Sequence, residues 1–86
     1  MIEYSVFPYY SVEHYKIACK FIEDLFCDDL IKKDVLIDVD GSQIQVYNTS
    51  KGKIVVINAF DYDWVIVRSE FEIKNPDWNK RDIIYG

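Results

Sequence analysis

The sequence has few of the residues from which metal centres and histidine-based catalytic sites are built. Its 86 residues include one His, His14, and two Cys, Cys19 and Cys27. Without a Cys-x-x-Cys pair or a second His, a zinc site has no support. We find no other cofactor motif, so we expect neither a metal nor a cofactor.

The two cysteines do not indicate a disulfide. Cys19 and Cys27 fall on what the pattern predicts to be one helix, where a rise of about 1.5 Å per residue separates them by roughly 12 Å along the axis. That distance is too long for a disulfide, and free thiols are typical of a reducing cytosol. His14 and Cys19 point about 140° apart around such a helix, so the sequence does not predict a His–Cys catalytic pair.

Long hydrophobic runs are also lacking. No apolar run approaches the roughly 20 residues needed to cross a bilayer. The N-terminus has neither the basic segment nor the uninterrupted apolar stretch of a secretion signal. Because 50% of the residues are hydrophobic and 16% are aromatic, a compact core is feasible. We therefore expect one small cytoplasmic domain over residues 1–86.

Basic residues are outnumbered by acidic ones. Ten Lys and Arg stand against fifteen Asp and Glu, which gives a net charge of −5. Affinity for nucleic acids depends mainly on Lys and Arg that neutralise phosphates, and the adjacent pairs Lys32-Lys33 and Lys80-Arg81 each have an Asp beside them. This composition disfavours direct binding to nucleic acid or to an anionic membrane. It favours a basic partner, although an acidic excess also serves solubility alone.

Hydrophobic spacing predicts an α+β fold with one main helix over about residues 12–28. Ser11 is a good N-cap for it, and one stripe of the helix is apolar: Val12, Tyr15, Ala18, Cys19, Ile22, Leu25 and Phe26. The helix is expected to pack on a four-stranded antiparallel meander over about residues 35–40, 43–48, 53–60 and 64–73. Alternation over residues 2–7 indicates an N-terminal strand that could add a fifth.

Turn residues predict the register of this meander. Asp40-Gly41 suits a two-residue type I′ turn, which would pair Ile37 with Ile44. A four-residue loop after the second strand would then place Val55 beside Val46. A three-residue loop before the fourth strand would set Phe60 opposite Trp64, as a stabilising aromatic pair.

The register divides the sheet into two faces. The face predicted to lie under the helix carries Val35, Ile37, Ile44, Val46, Val55, Ile57, Ala59, Val65, Val67, Ser69 and Phe71. The second face carries Leu36, Asp38, Gln43, Gln45, Tyr47, Ile54, Val56, Asn58, Phe60, Trp64, Ile66, Arg68 and Glu70. This second face is more apolar than the solvent face of an ordinary antiparallel sheet.

The second face is the predicted functional surface. Aromatic anchors with acidic surroundings suit an interface with a basic protein, because charge speeds encounter and buried rings supply affinity. The predicted partner-binding residues are Asp38, Tyr47, Phe60, Asp61, Tyr62, Asp63, Trp64, Ile66 and Glu70. The C-terminal tail is long enough to cover part of the same face, which is the main structural alternative.

These features predict a non-enzymatic acidic protein-binding domain. The leading hypothesis is an inhibitor of a basic, nucleic-acid-acting partner such as a toxin or nuclease-like enzyme, in the manner of an immunity protein, an antitoxin or a phage-encoded inhibitor. The alternative is a homodimeric structural or regulatory subunit that buries the second face against another copy. An enzyme would need a carboxylate pair in a cleft, and the sequence locates no such pair.

Overall fold

A computed structural model describes residues 2–8, 11–32, 36–37, 41–59, 64–73 and 79–82. Its elements are β1 (Ile2–Pro8), α1 (Val12–Leu25), β2 (Ile31–Lys32), β3 (Leu36–Ile37), β4 (Gln43–Thr49), β5 (Gly52–Asn58), β6 (Trp64–Ser69) and β7 (Asn79–Asp82). The strands form one antiparallel sheet in the order β2-β4-β5-β6-β1-β7, with β3 also pairing with β4. Helix α1 packs on β5 and β6. The predicted α+β fold and its N-terminal strand are confirmed.

Helix α1 begins where the sequence predicts. Ser11 is extended at φ −157° and its hydroxyl accepts a hydrogen bond of 3.3 Å from the backbone N–H of His14. The centre of the predicted stripe is buried, at Tyr15, Ala18 and Ile22. The stripe is exposed near its ends, where 48% of Leu25 is accessible to solvent. No helix in the described part of the chain is long and apolar enough to cross a bilayer.

The helix ends at Leu25, earlier than the predicted end near residue 28. The backbone N–H of Phe26 closes the last turn on the carbonyl of Ile22 at 3.1 Å. Continuing the helix would carry the charged side chain of Asp29 into the middle of the buried stripe. Asp29 instead accepts hydrogen bonds from the Ser50 amide at 3.1 Å and the Ser50 hydroxyl at 2.6 Å.

The predicted register is right for one hairpin and wrong for the other two. Between β4 and β5, Val46 pairs with Val55 as predicted. Between β3 and β4 the prediction was wrong by one residue, because Leu36 rather than Ile37 opposes Ile44. Ile37 pairs with Gln43, which excludes a two-residue turn at Asp40-Gly41, although Gly41 does adopt the positive φ of 89° that the turn chemistry indicated.

The third hairpin is also displaced by one residue. A three-residue loop would have paired Ile57 with Val67, whereas the structure pairs Ile57 with Ile66. A one-residue slip moves a strand's side chains to the opposite face relative to its neighbour. Val65 and Val67 of β6 therefore stay under the helix as predicted, while the faces predicted for β4 and β5 are reversed.

The side of β4 and β5 that packs against α1 carries Tyr47, Ile54 and Val56, each 0% exposed. They form one buried cluster with Val65 and Val67 of β6 and with residues of the helix. The remaining members of the cluster come from β1, from the helix and from the segment after β6: Tyr4, Val6, Tyr15, Ala18, Ile22 and Ile73.

Polar contacts explain why this face lies under the helix. Asn58, 0% exposed, accepts a hydrogen bond of 3.1 Å from the backbone N–H of Ser11 and donates one of 3.2 Å to the side chain of Gln43. The hydroxyl of Tyr47 donates to the Glu23 carboxylate at 2.6 Å. Buried polar groups are costly without partners, and the helix and its N-cap supply two of these partners, Glu23 and Ser11, to this face.

The hydrogen bond from Tyr47 to Glu23 can be tested against a matched hydroxyl. Tyr15 is buried beside Cys19, and its hydroxyl has no oxygen or nitrogen partner among the described residues, only the weakly bonding Cys19 thiol. Tyr47→Phe should lower the free energy of unfolding by about 1–2 kcal/mol, since the Glu23 carboxylate loses its donor. Tyr15→Phe should leave it unchanged or raise it. Urea denaturation of both variants measures the difference, and equal losses would contradict the assignment.

The contact between Asp29 and Ser50 should make stability depend on pH. The Ser50 hydroxyl, and then the Ser50 amide, hold the pKa of Asp29 below its usual value of 3.8. A carboxyl with a lower pKa in the folded state stabilises the fold above about pH 4 and loses that effect as the pH falls through the folded pKa. Asp29→Ala should therefore lower the free energy of unfolding at neutral pH, and this loss should become smaller as the pH falls.

A double-mutant cycle provides the control for this prediction. At neutral pH, Asp29→Ala combined with Ser50→Ala should cost about as much as Asp29→Ala alone, because Asp29→Ala already removes the bond to the Ser50 hydroxyl as well as the bond to the Ser50 amide. Additive losses, or a loss from Asp29→Ala that does not shrink in acid, would show that this contact does not hold the β4–β5 turn.

Candidate functional site

The sheet face turned away from α1 is the candidate functional site, and we name it the outer face. Strands β4, β5 and β6 contribute its apolar side chains: Ile44, Val46, Val55, Ile57, Trp64 and Ile66. Ile44 pairs with Ile57, which pairs in turn with Ile66, so the apolar side chains continue across three neighbouring strands. None of the six belongs to the buried cluster under the helix.

The side chains of the outer face are unequally exposed. The two side chains at its centre are buried: Ile57 is 8% exposed and Ile66 is 9% exposed. Val46, Val55 and Trp64 around them are partly buried. The outer face is therefore an aliphatic patch with an indole at one end, and it is more apolar than the sequence predicted for the second face.

One ion pair lies beside this patch. Arg68 is opposite both Val55 and Glu3 across the neighbouring strands, and its Nε donates to the Glu3 carboxylate at 3.0 Å. The side chains of Arg68 and Glu3 are 28% and 9% exposed, so this pair is largely withdrawn from water. Because the two charges neutralise each other, they add no net charge to the patch.

The structure places two of the predicted partner-binding residues on the side of the sheet that faces away from the helix, as predicted, and a third, Glu70, outside the fourth strand in which it was predicted. Trp64 and Ile66 lie on the outer face, and Glu70 is exposed just beyond the end of β6. The Glu70 carboxylate accepts a hydrogen bond of 2.6 Å from the backbone N–H of Lys53. It also closes over Gly52, where an added Cβ would meet the Glu70 side chain at 3.1 Å and the backbone has a φ of +144°.

The prediction for Tyr47 was wrong as to its face. Its ring lies under the helix and is 0% exposed, with its hydroxyl bound to Glu23. The reversed faces of β4 and β5 are the physical reason. The other predicted residues, Asp38, Phe60, Asp61, Tyr62 and Asp63, lie outside the described residues.

The C-terminal tail was the predicted alternative cover for this surface. Its described residues, Asn79–Asp82, instead form β7 and pair with β1 at the edge of the sheet, with Tyr4 opposite Lys80. This part of the tail widens the sheet. It does not cross the outer face.

A polar cluster that the sequence did not predict lies between the helix and β4. Glu23 accepts from the Tyr47 hydroxyl and lies 3.5 Å from the Lys32 ammonium. Burial, followed by the contact with Glu23, raises the pKa of Tyr47 far above its usual value. Burial also raises the pKa of the neighbouring Cys19 thiol. A thiol with a raised pKa is a weak nucleophile, so the cluster's evident effect is to attach the helix.

His14 lies apart from this cluster. Its ring stacks on Phe7 of β1, with centroids 4.6 Å apart and planes inclined by 21°. Cys19 lies instead among the tyrosines of the polar cluster, so the structure does not bring His14 and Cys19 together. Among the residues that the structure describes, no three His, Cys, Asp or Glu side chains are grouped so as to hold a metal ion.

The outer face could be located only in part from the sequence. Alternation along β6 correctly separates Trp64 and Ile66 from Val65 and Val67. The polar partners that decide the faces of β4 and β5, Ser11 and Glu23, carry no signal of their pairing in the local sequence. Comparison of the chain with models of known protein families, with curated proteins and with solved structures found no match.

Proposed function

We propose that this chain is a non-enzymatic binding protein that uses its outer face to block a basic protein partner. The continuous apolar patch across β4, β5 and β6 is the observation that carries the proposal. Scattered apolar residues are common on protein surfaces, whereas a contiguous apolar patch is typical of an interaction surface. Here Val46, Val55 and Trp64 are partly exposed around the buried Ile57 and Ile66. The helix packs on the other face of these strands.

The negative charge of the chain is the reason for proposing a basic partner. The chain carries a net charge of −5, and Asp61 and Asp63 lie three residues and one residue before Trp64 in the sequence. Acidic residues around an apolar anchor increase the rate of encounter with a basic protein, while the buried side chains supply affinity. In the proposed mechanism, these carboxylates engage the Lys and Arg with which the partner holds a nucleic acid's phosphates, and Trp64 anchors the contact. The bound chain then excludes the partner's substrate, as an immunity protein or antitoxin does.

A homodimer is the second candidate function. It is favoured by the ion pair of Glu3 with Arg68, which adds no net charge beside the apolar patch. A neutral apolar patch can pack on its own two-fold copy without bringing like charges together. The chain would then be a structural or regulatory subunit.

A lysine in the patch tests the outer face directly. Val55→Lys places a charge among the apolar side chains of β5, whereas Ile17→Lys adds the same charge at a 52%-exposed residue of the helix. We expect Val55→Lys to abolish capture of a basic protein from an extract of the source cells, because a buried unpaired charge is costly. Ile17→Lys should leave that capture intact. Melting temperatures of both variants control for folding.

Light scattering of the purified chain separates the two candidate functions. A monomer at micromolar concentration supports a foreign partner. A dimer that Val55→Lys dissociates and Ile17→Lys preserves supports the homodimer. If Val55→Lys and Ile17→Lys capture the partner equally well, the outer face is not the binding surface.

A charge reversal tests the electrostatic part of the proposal. Asp61→Lys with Asp63→Lys changes the charge next to Trp64, whereas Glu13→Lys with Asp24→Lys makes the same change in net charge on the helix. The first pair should slow association with the captured partner by about tenfold or more at low salt, and the second should slow it much less. Surface plasmon resonance at two salt concentrations measures both rates. Equal slowing would show that overall charge acts without a local acidic surface.

A further inference from the structure

A second surface lies at the end of α1, away from the outer face. A groove of about 550 Å³ opens between the end of the helix, the β4–β5 turn and the segment after β6. Its apolar wall includes Leu25, Phe26 and Phe71, and carboxylates line its rim. The proposed function does not use this groove.

The aromatic part of the groove is a corner of two rings. Phe26 and Phe71 meet edge to face, with centroids 5.7 Å apart and planes inclined by 88°. Both rings are partly buried, and Leu25 beside them is 48% exposed. Aromatic ring faces attract cations as well as apolar groups. The corner therefore suits a group with an apolar stem and a cationic head.

The rim has the opposite sign to such a cation. Asp28, Asp29 and Glu72 line the groove, and Lys51 is its basic residue. The helix points its negative C-terminal end here, and its last turn contains no basic side chain to offset that end. Asp29 is engaged by Ser50, which leaves Asp28 as the exposed carboxylate nearest the end of the helix. The apolar wall, the aromatic corner and the acidic rim together favour an occupant with an apolar stem and a cationic head.

We propose that this groove binds an arginine side chain presented by a basic protein partner. The alkyl stem packs against Leu25, the planar guanidinium stacks on the ring corner, and its N–H groups donate to the rim carboxylates. Arginine is favoured over lysine because its guanidinium is planar, weakly hydrated and able to stack while donating several hydrogen bonds. The basic character of the partner rests on the proposed function, but the groove is a separate surface and is tested without the partner.

The probe for this test is n-butylguanidinium chloride, titrated into the isotope-labelled full chain and followed by amide chemical shifts. We expect shifts confined to residues 25–29, 51 and 71–73. Guanidinium chloride at the same concentration lacks the alkyl stem and should shift these amides far less. Asp28→Lys should weaken probe affinity by about tenfold, because an attraction is replaced by a repulsion at short range. Asp24→Lys, the same change on an exposed residue of the helix outside the groove, should leave affinity within about twofold.

Three results would contradict the proposal that the groove binds an arginine side chain. Shifts spread over all acidic surfaces, equal responses to the two guanidinium salts, or equal weakening by Asp28→Lys and Asp24→Lys would each do so. The spectrum of each variant without probe shows that it is folded. Val55→Lys tests the outer-face proposal separately. If the groove does not bind the probe, the outer-face proposal is unaffected; if the groove does bind it, that result does not support the outer face.

Discussion

The hydrogen bonds that attach α1 to the sheet are the constraint on which the rest of the structure depends. Asn58 accepts from the Ser11 amide where the helix begins, Tyr47 donates to Glu23 within it, and Asp29 binds Ser50 just beyond its end. Asn58 and Tyr47 are both 0% exposed, and each would be costly to bury without its partner. Turning β4 and β5 over would bury aliphatic side chains equally well, but it would move Tyr47 and Asn58 to the outer face and break their hydrogen bonds to Glu23 and Ser11. Polar satisfaction therefore decides which face the helix packs on.

That choice also determines what remains on the other side of the sheet. With Tyr47 and Asn58 under the helix, alternation along β4 and β5 leaves Val46, Val55 and their aliphatic neighbours on the outer face. The charges of Glu3 and Arg68 neutralise each other at 3.0 Å, so the outer face offers mainly apolar contacts. The groove beyond Leu25 has the complementary character, with acidic side chains around an aromatic corner. Among the described residues, the apolar patch and this acidic groove therefore lie in different places.

Much of the fold could be predicted from local signals, and the faces could not. Ser11 marks the start of the helix, and the four-residue loop from Thr49 to Gly52 predicts the β4–β5 register that pairs Val46 with Val55. The other two registers each depend on one residue of loop length, and such a slip exchanges faces. Of the predicted site, Trp64 and Ile66 lie on the outer face because alternation within β6 is a local property. The groove was missed because Phe26 and Phe71 are far apart in the sequence and meet only in the folded chain.

The assignment of the two faces can be measured directly with a soluble gadolinium chelate, which broadens the methyl signals of side chains that solvent reaches. In dilute, monomeric protein, the methyl groups of Val46 and Val55 should relax much faster than those of Ile54 and Val56, which lie under the helix. Equal relaxation of the two sets, or faster relaxation of Ile54 and Val56, would contradict the account, because the helix would then lie on the face from which binding is proposed.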